Sequence, residues 1–315
     1  VIGVKDGQIR VGPRSVGAAP GPACFALGGT EATITDVNLL LGVLDPDSYL
    51  EGQLQLDAQR AAAVITEAVA IPLGITLEEA LVRMENAYFE AIAGSFSSLV
   101  KEDTTLAAFG GAGPMSACGA SRLVGVKRVL VPRMAAVFSA FGISFSDIGK
   151  SYEVSVPETG EESALRTHDQ MLVRAERDLF QEGYDIADCT LAWSIGVEDA
   201  GGALTTRPYR RGDAVDGREG HVSLLLDVTA DLPHPNLGNR DVAVERAAVL
   251  SGSRAVRSSA SVVEDVPVFV LDEQQAGACA YGPAIVEGPF FTTRVPAGWR
   301  LDVTSNGDLI LTDTH

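Results

Sequence analysis

The stretch from Thr105 to Val131 limits the possible folds more than any other. Thr105–Phe109 is a short apolar strand, Gly110-Gly111-Ala112-Gly113-Pro114 is a turn, Met115–Val124 reads as a helix, and Lys127–Val131 is a second apolar strand. Strand, glycine turn, helix and strand in that order predict a parallel βαβ unit, and so an α/β fold. A loop at Arg133–Ala136, a helix from Val137 and a strand at Tyr152–Val156 read as a possible third strand of the same kind.

Upstream, the chain opens in a hairpin, Val1–Val4 and Gln8–Val11, around Asp6-Gly7, a pair suited to a two-residue turn with positive φ. Residues 12–30 form a loop rich in Gly, Pro and Ala, long enough to predict an ordered, functional segment rather than a linker. A short helix follows from Asp36 to Leu41, with Thr35 or Asp36 as its cap. A second runs from Asp57 to about Val69, stopping before Pro72, and a third starts at Thr76, whose pattern with Glu79 is a capping box. Leu77, Leu81, Met84, Tyr88, Ile92 and Leu99 form the core stripe of this third helix.

Beyond about residue 157 the pattern becomes β-rich. One amphipathic helix, Ser163–Glu182, turns Leu165, Met171, Leu172, Ala175, Leu179 and Phe180 inward. Strands are expected at Thr190–Val197, Ala203–Tyr209, His221–Ala230, Val242–Val249, Val266–Leu271, Ala284–Glu287, Thr292–Val295, Leu301–Val303 and Leu309–Thr312. Asn306-Gly307 predicts a type I′ hairpin between the last two. The expected division is therefore 1–155 and 156–315.

The formal charge of −18 leaves no cationic excess for a nucleic-acid backbone, so nucleic acid is excluded as a partner. Four scattered cysteines without a CxxC pair fit a reducing compartment, and the four histidines have no metal-ligand spacing. No run approaches 18 apolar residues, so neither a membrane span nor a membrane partner is expected, and the expected location is the cytoplasm. Ser139 lacks a GxSxG frame, and His234 between two prolines reads as a loop histidine. The glycine turn suits close approach of backbone amides to a phosphate or ribose, but it lacks the GK[ST] of a phosphate loop. A tight structural bend would look the same. Arg14 in the first glycine-rich loop is a weak candidate for gripping a phosphate or carboxylate. Asp36 is a weak candidate base or metal ligand, or a helix cap.

Three ordered blocks sharpen this reading: GPRSVGAAPGPACFALGGTEATITDVNLLLG (12–42), LAAFGGAGPMSACGASRLVGVKRVLVPRMAAVFSAFGISFSDI (106–148) and YGPAIVEGPFFTTRVPAGWRLDVTSNGDLIL (281–311). Together they resemble the hydantoinase A, 5-oxoprolinase and acetone carboxylase beta-subunit family, specifically its C-terminal half. The resemblance implies the latter part of an actin/Hsp70/sugar-kinase-like nucleotide-binding module followed by a β-rich C-terminal domain. It implies ATP and Mg²⁺ as cofactors, with Gly110, Gly111, Ala112, Gly113 and Pro114 matching the adenosine-side loop. It implies three partners: the N-terminal half that carries the phosphate-gripping loops, a hydantoinase B-type subunit, and a small-molecule substrate. The implied reaction is ATP-dependent hydrolysis of a cyclic amide. The alternatives are ATP-dependent ketone carboxylation and a non-catalytic assembly module. Alone the chain is expected to be inactive and to self-associate. Two departures from the family stand out: Met115-Ser116 replaces a common Leu-His, and Phe25 replaces a common Tyr.

Overall fold

A computed structural model describes residues 1–157, 160–199, 201–215, 220–234 and 244–315. The protein is mixed α/β. Its contacts divide it into two compact units, Val1–Phe141 with Leu237–His315, and Gly142–Asn236. This differs from a break at 155/156, and strand pairing is the reason. The parallel pair β3 (Thr105–Ala107) and β4 (Arg128–Val131) continues directly into β16 (Leu309–Asp313), β15 (Trp299–Val303), β12 (Ala278–Tyr281) and β9 (Arg246–Ala247), giving one six-stranded sheet. Val129 lies opposite Leu311 in the β4–β16 register, and both are fully buried. The end of the chain thus completes the sheet that the βαβ unit starts.

The same unit holds a second sheet of β10 (Gly252–Arg257), β11 (Val263–Val270), β13 (Ala284–Gly288) and β14 (Phe291–Val295). Its side chains alternate between two cores. Val266, Val268 and Ile285 pack with the N-terminal helices, while Phe269, Ala284 and Val286 pack with the six-stranded sheet. Period-two alternation buried on both faces makes this sheet a middle layer.

The N-terminal hairpin, β1 (Ile2–Lys5) and β2 (Gln8–Val11), turns through Asp6 (φ 53°) and Gly7 (φ 72°), as its Asp-Gly pair requires. Helix α1 spans Ile34–Leu40, two residues earlier than expected. Its N-cap is Thr33, and Asp36 is the third helical residue, closing a capping box. Helix α2 (Ala58–Ile65) is capped by Asp57. It then passes through one π turn, Thr66–Ala70, into α3 (Ile71–Leu73), so the helix does not stop before Pro72. The wider turn absorbs the hydrogen bond that the proline ring would otherwise break. Helix α4 (Leu77–Phe96) is capped by the Thr76 hydroxyl, which accepts from Glu79 N–H, while the Glu79 carboxylate pairs with Arg83 instead of closing the expected box; Leu99 lies beyond the helix and is exposed. Helix α5 covers Gly113–Leu123.

The other unit follows α6 (Phe138–Ile143) and contains β5 (Ile148–Ser155), helix α7 (Glu161–Gln181), β6 (Thr190–Glu198), β7 (Leu204–Pro208) and β8 (His221–Ala230). The strand expected to extend the βαβ unit is β5. It instead pairs antiparallel with β8 in a separate sheet ordered β5-β8-β6-β7. Met171, Ala175 and Leu179 of α7 join Leu224, Leu226 and Val228 in this core. Phe180, expected inward, is 79% exposed, because the residue after Leu179 is rotated off the buried stripe.

The strand expected at Val242–Val249 is present as the two-residue β9, and residues 242 and 243 lie outside the described residues. The turn at Asn306-Gly307 also differs from expectation. Thr304 and Asp308 flank a three-residue loop in which only Gly307 takes positive φ (81°), the arrangement of a type I turn closed by a left-handed glycine.

Candidate functional site

The Gly110–Pro114 turn is built by the register of the strand before it. Ala108 N–H donates to Leu130 O at 2.8 Å, continuing the pairing to β4, and Gly110 N–H donates to Ala135 O at 2.6 Å. Gly110 sits at φ 79°, a conformation few residues other than glycine adopt. Pro114 falls in the first turn of α5, where a missing N–H costs no helical bond. Ala112 caps the helix without offering a side-chain acceptor, so no side chain fills the helix's first amides. Gly111, Ala112 and Gly113 are exposed, whereas Pro114, Met115 and Ser116 are buried.

Beside this turn lies a cleft of about 310 Å³ within the same unit. Gly111 and Ala112 form one edge, with Met115. The segment after α1 supplies Asp45, Ser48, Tyr49, Leu50 and Glu51, and the β13–β14 hairpin supplies Glu287 through Thr292. The turn and the hairpin are close neighbours, since a Cβ on Gly111 would stand 3.4 Å from Phe290 O. Three non-glycine residues of the lining, Leu50, Glu51 and Phe290, have φ between 51° and 60°. Such backbone conformations concentrate where a surface is shaped for a ligand.

The lining carries four carboxylates, Asp45, Glu51, Asp272 and Glu287, and no basic side chain. Two of them are held by Arg254, which stands behind the cleft on β10. Its guanidinium donates to Glu287 Oε1 at 2.6 Å, Asp45 Oδ2 at 3.1 Å and Val43 O at 3.2 Å. Asp45 Oδ1 in turn accepts from the N–H groups of Asp47 (2.8 Å) and Ser48 (3.3 Å), fixing the start of the wall segment. Burial, followed by the nearby Cys24, raises the Tyr49 phenol above its ordinary value, so it stays protonated and able to donate. Phe25, the residue in place of the common Tyr, packs against Tyr49 with ring centroids 5.7 Å apart. Its role there is to support the wall rather than to line the cleft.

The other two candidates lie elsewhere. Asp36 is fully buried and accepts from Cys24 N–H (2.7 Å), Thr33 N–H (2.9 Å) and Thr33 Oγ1–H (2.7 Å). Its carboxylate ties the first glycine-rich loop to helix α1 and does not line the cleft, although its neighbour Thr35 does. Burial, then the Asp36 charge, pushes the Cys24 thiol up, leaving it protonated and unreactive. Arg14 is 67% exposed and paired with Glu31, and it does not line the cleft. His234 Nε2–H donates to Asp147 Oδ1 at 3.0 Å, and the ring stacks on Phe145.

The residues that single-motif reasoning missed are Asp45, Tyr49, Glu51 and Glu287. They are up to 242 positions apart, and no spacing rule joins them. The one signal was the Glu287-Gly-Pro-Phe-Phe291 run inside the third sequence block.

A family model described as Hydantoinase/oxoprolinase matches residues 1–152. The chain is 32% identical to the acetophenone carboxylase gamma subunit of Aromatoleum aromaticum, over 96% of this chain and 48% of that protein. It is 27% identical to the caprolactamase subunit alpha of Pseudomonas jessenii, over 98% of this chain and 50% of that one. The crystal structure of that ATP-dependent caprolactamase superposes with a TM-score of 0.72, at 26% identity over 99% of this chain and 51% of its own. A nucleotide-free acetone carboxylase structure gives a TM-score of 0.75 at 21% identity, covering 99% and 51%, and so shares the fold. The chain spans about half the length of these relatives.

Proposed function

Because this chain belongs to the hydantoinase, oxoprolinase and acetone carboxylase family, we propose that it is the C-terminal part of a subunit for ATP-dependent hydrolysis of a cyclic amide. In this reading the Gly110–Pro114 turn borders the sugar-and-base end of the nucleotide. The unit built on β3, α5 and β4 is the latter part of an actin/Hsp70/sugar-kinase-like module. The observation that carries the reading is the exposed turn with a cleft beside it, the opposite of a bend packed into a core.

The lining suits that end of a nucleotide. Its carboxylates and the Ser48 and Tyr49 hydroxyls match a sugar diol and a base amine, while no basic side chain awaits a triphosphate. These residues would hold the sugar-and-base end of ATP, and the phosphates with their Mg²⁺ would be held by polypeptide outside this chain. Bound ATP supplies a phosphoryl group that turns the substrate's carbonyl oxygen into a leaving group. Within the chain, Gly111 and Ala112 keep the backbone low enough for close approach, Arg254 fixes the Asp45 and Glu287 walls, and Tyr49 offers a donor. The site of action is the cytoplasm, and a hydantoinase B-type subunit completes the reaction. Without these partners the chain turns over no substrate.

Ketone carboxylation is the second reading, favoured by the higher identity to the acetophenone carboxylase subunit. Isothermal titration of MgATP into the protein, with and without its companion subunits, tests the common core of both readings. Absence of nucleotide binding in the reconstituted assembly overturns it and leaves an assembly module. Product analysis with a lactam, or with a ketone plus bicarbonate, then separates hydrolysis from carboxylation.

A further inference from the structure

Five non-glycine residues take positive φ among the described residues, and three of them, Leu50, Glu51 and Phe290, line the cleft of about 310 Å³. Leu50 and Glu51 are consecutive and lead into Gly52, also at positive φ, so the chain makes a left-handed bend where a lone glycine or asparagine is the usual occupant. Phe290 sits after Pro289 in the two-residue loop left by the Gly288–Phe291 pair. Proline first and positive φ second is the type II pattern, in which glycine normally takes the second place. Both bends thus carry side chains where bare backbone would fold more easily. Stability does not explain that choice, and strained residues gather where a surface is shaped for a ligand.

What these bends bring to the cleft is complementary. Phe291 is buried, with its ring 2.3 Å from where a Cβ on Gly288 would stand, and is committed to packing. Phe290 is left 45% exposed at the cleft, beside the glycine turn. Leu50, 37% exposed, adds a second apolar group from a different segment. Of the four lining carboxylates, Asp45 and Glu287 are engaged by Arg254 and Asp272 by Arg133, whereas Glu51 has no partner among the described residues. One free acceptor beside exposed apolar side chains suits a flat aromatic body that carries an amine.

We propose that Phe290 and Glu51 are the residues that choose the base: the Phe290 ring stacks on the nucleobase, and the Glu51 carboxylate accepts from an exocyclic amine such as adenine N6. The inference rests on the nucleotide reading above, and it assigns what that reading leaves open, the groups that set base specificity. Stacking tolerates any base, since every base has a π face. Selection therefore falls to Glu51. Hypoxanthine puts a carbonyl oxygen where adenine has its amine, so the carboxylate loses its donor and faces a like partial charge. Neither residue belongs to the Gly110–Pro114 turn, whose part is close approach of backbone.

The test is calorimetric titration of MgATP and MgITP into the assembled enzyme, with each variant checked by thermal melting. The wild type should favour MgATP by about tenfold. Glu51→Gln should bring that ratio to within about twofold, because an amide side chain can meet either an amine or a carbonyl. Phe290→Gly should weaken both nucleotides about tenfold and leave their ratio alone, yet melt no lower than the wild type, since glycine fits the left-handed position. Equal wild-type affinity for the two nucleotides, an unchanged ratio in Glu51→Gln, or MgATP affinity within about twofold of wild type in Phe290→Gly overturns the proposal and leaves the nucleotide reading standing. Failure of the wild-type assembly to take up MgATP at all removes the nucleotide reading, and the proposal with it.

Discussion

Two glycine-rich segments of one unit, 12–30 and 110–114, invite the same guess about ligand binding, yet folding treats them differently. The first is drawn inward at residues 21–24 and at Gly29, while 12–20 and 26–28 stay largely exposed. Ala23 and Cys24 are fully buried, Asp36 collects three hydrogen bonds beneath them, and a Cβ on Gly29 would fall 2.2 Å from Gly21 O. Gly21 and Gly29 serve close chain-to-chain packing, whereas a Cβ on Gly12 or Gly17 would meet nothing within 4 Å. The second stays outside, and a Cβ on Gly110 would meet nothing within 4 Å. Its glycines serve φ and access. The same composition therefore marks either a tightly stapled core or an open edge, and what separates them is where the freed space goes.

The largest effect should come from breaking the staple. Asp36→Ala strands the Cys24 and Thr33 donors in a dry site and should cost about 4 kcal/mol in denaturant unfolding, with Asp36→Asn recovering part of it. Loss of less than about 1 kcal/mol would mean that the first segment is not pinned as described. Next is Arg294→Met, which leaves the buried Glu85 without its partner and should cost about 3 kcal/mol at neutral pH. Burial raises the Glu85 pKa above its ordinary 4.5, and Arg294 opposes that shift. A raised carboxyl gives stability that is full below 4.5 and is lost as pH rises through the folded-state value. Removing Arg294 should therefore widen this loss toward neutral pH, and adding Glu85→Gln should flatten it, as melting curves from pH 4 to about 8 would register.

Smaller in stability but sharper for function is Gly111→Leu. Its Cβ meets only Phe290 O at 3.4 Å, so folding should change by less than about 0.5 kcal/mol. Nucleotide affinity of the assembled enzyme should still fall about tenfold or more by calorimetry, since the new side chain enters the cleft edge. Unchanged affinity would erase the distinction between the two segments. Arg14→Ala should do least, below about 0.5 kcal/mol, because its partner Glu31 is met at the surface.

Local chemistry made much of this fold readable in advance. The Asp6-Gly7 hairpin, the Thr76 cap, the 105–131 βαβ unit and the His221–Ala230 strand each follow from a few neighbouring residues. The readings that changed depended on partners far away. Tyr152 looked like a continuation of the βαβ unit, but its strand found β8, some 75 residues on. Asp36 looked like the cap itself, whereas Thr33 holds that place and Asp36 also reaches back to Cys24. In the candidate site, the glycine turn was legible because backbone geometry restricts which residues can form it. The carboxylate walls were not, since Asp45 and Glu287 meet only through Arg254.

By itself, then, the order of residues determined the turns, the caps, the parallel unit and the family, all of which depend on short-range sterics and hydrogen bonding or on whole blocks of sequence. Tertiary structure alone decided that the last strands complete the first sheet, that the middle of one glycine-rich segment is buried while the other borders a cleft, and that the cleft is acidic. Those outcomes depend on which apolar faces cover each other and which charges are brought together, and burial of that kind is a property of the assembled chain rather than of any stretch within it.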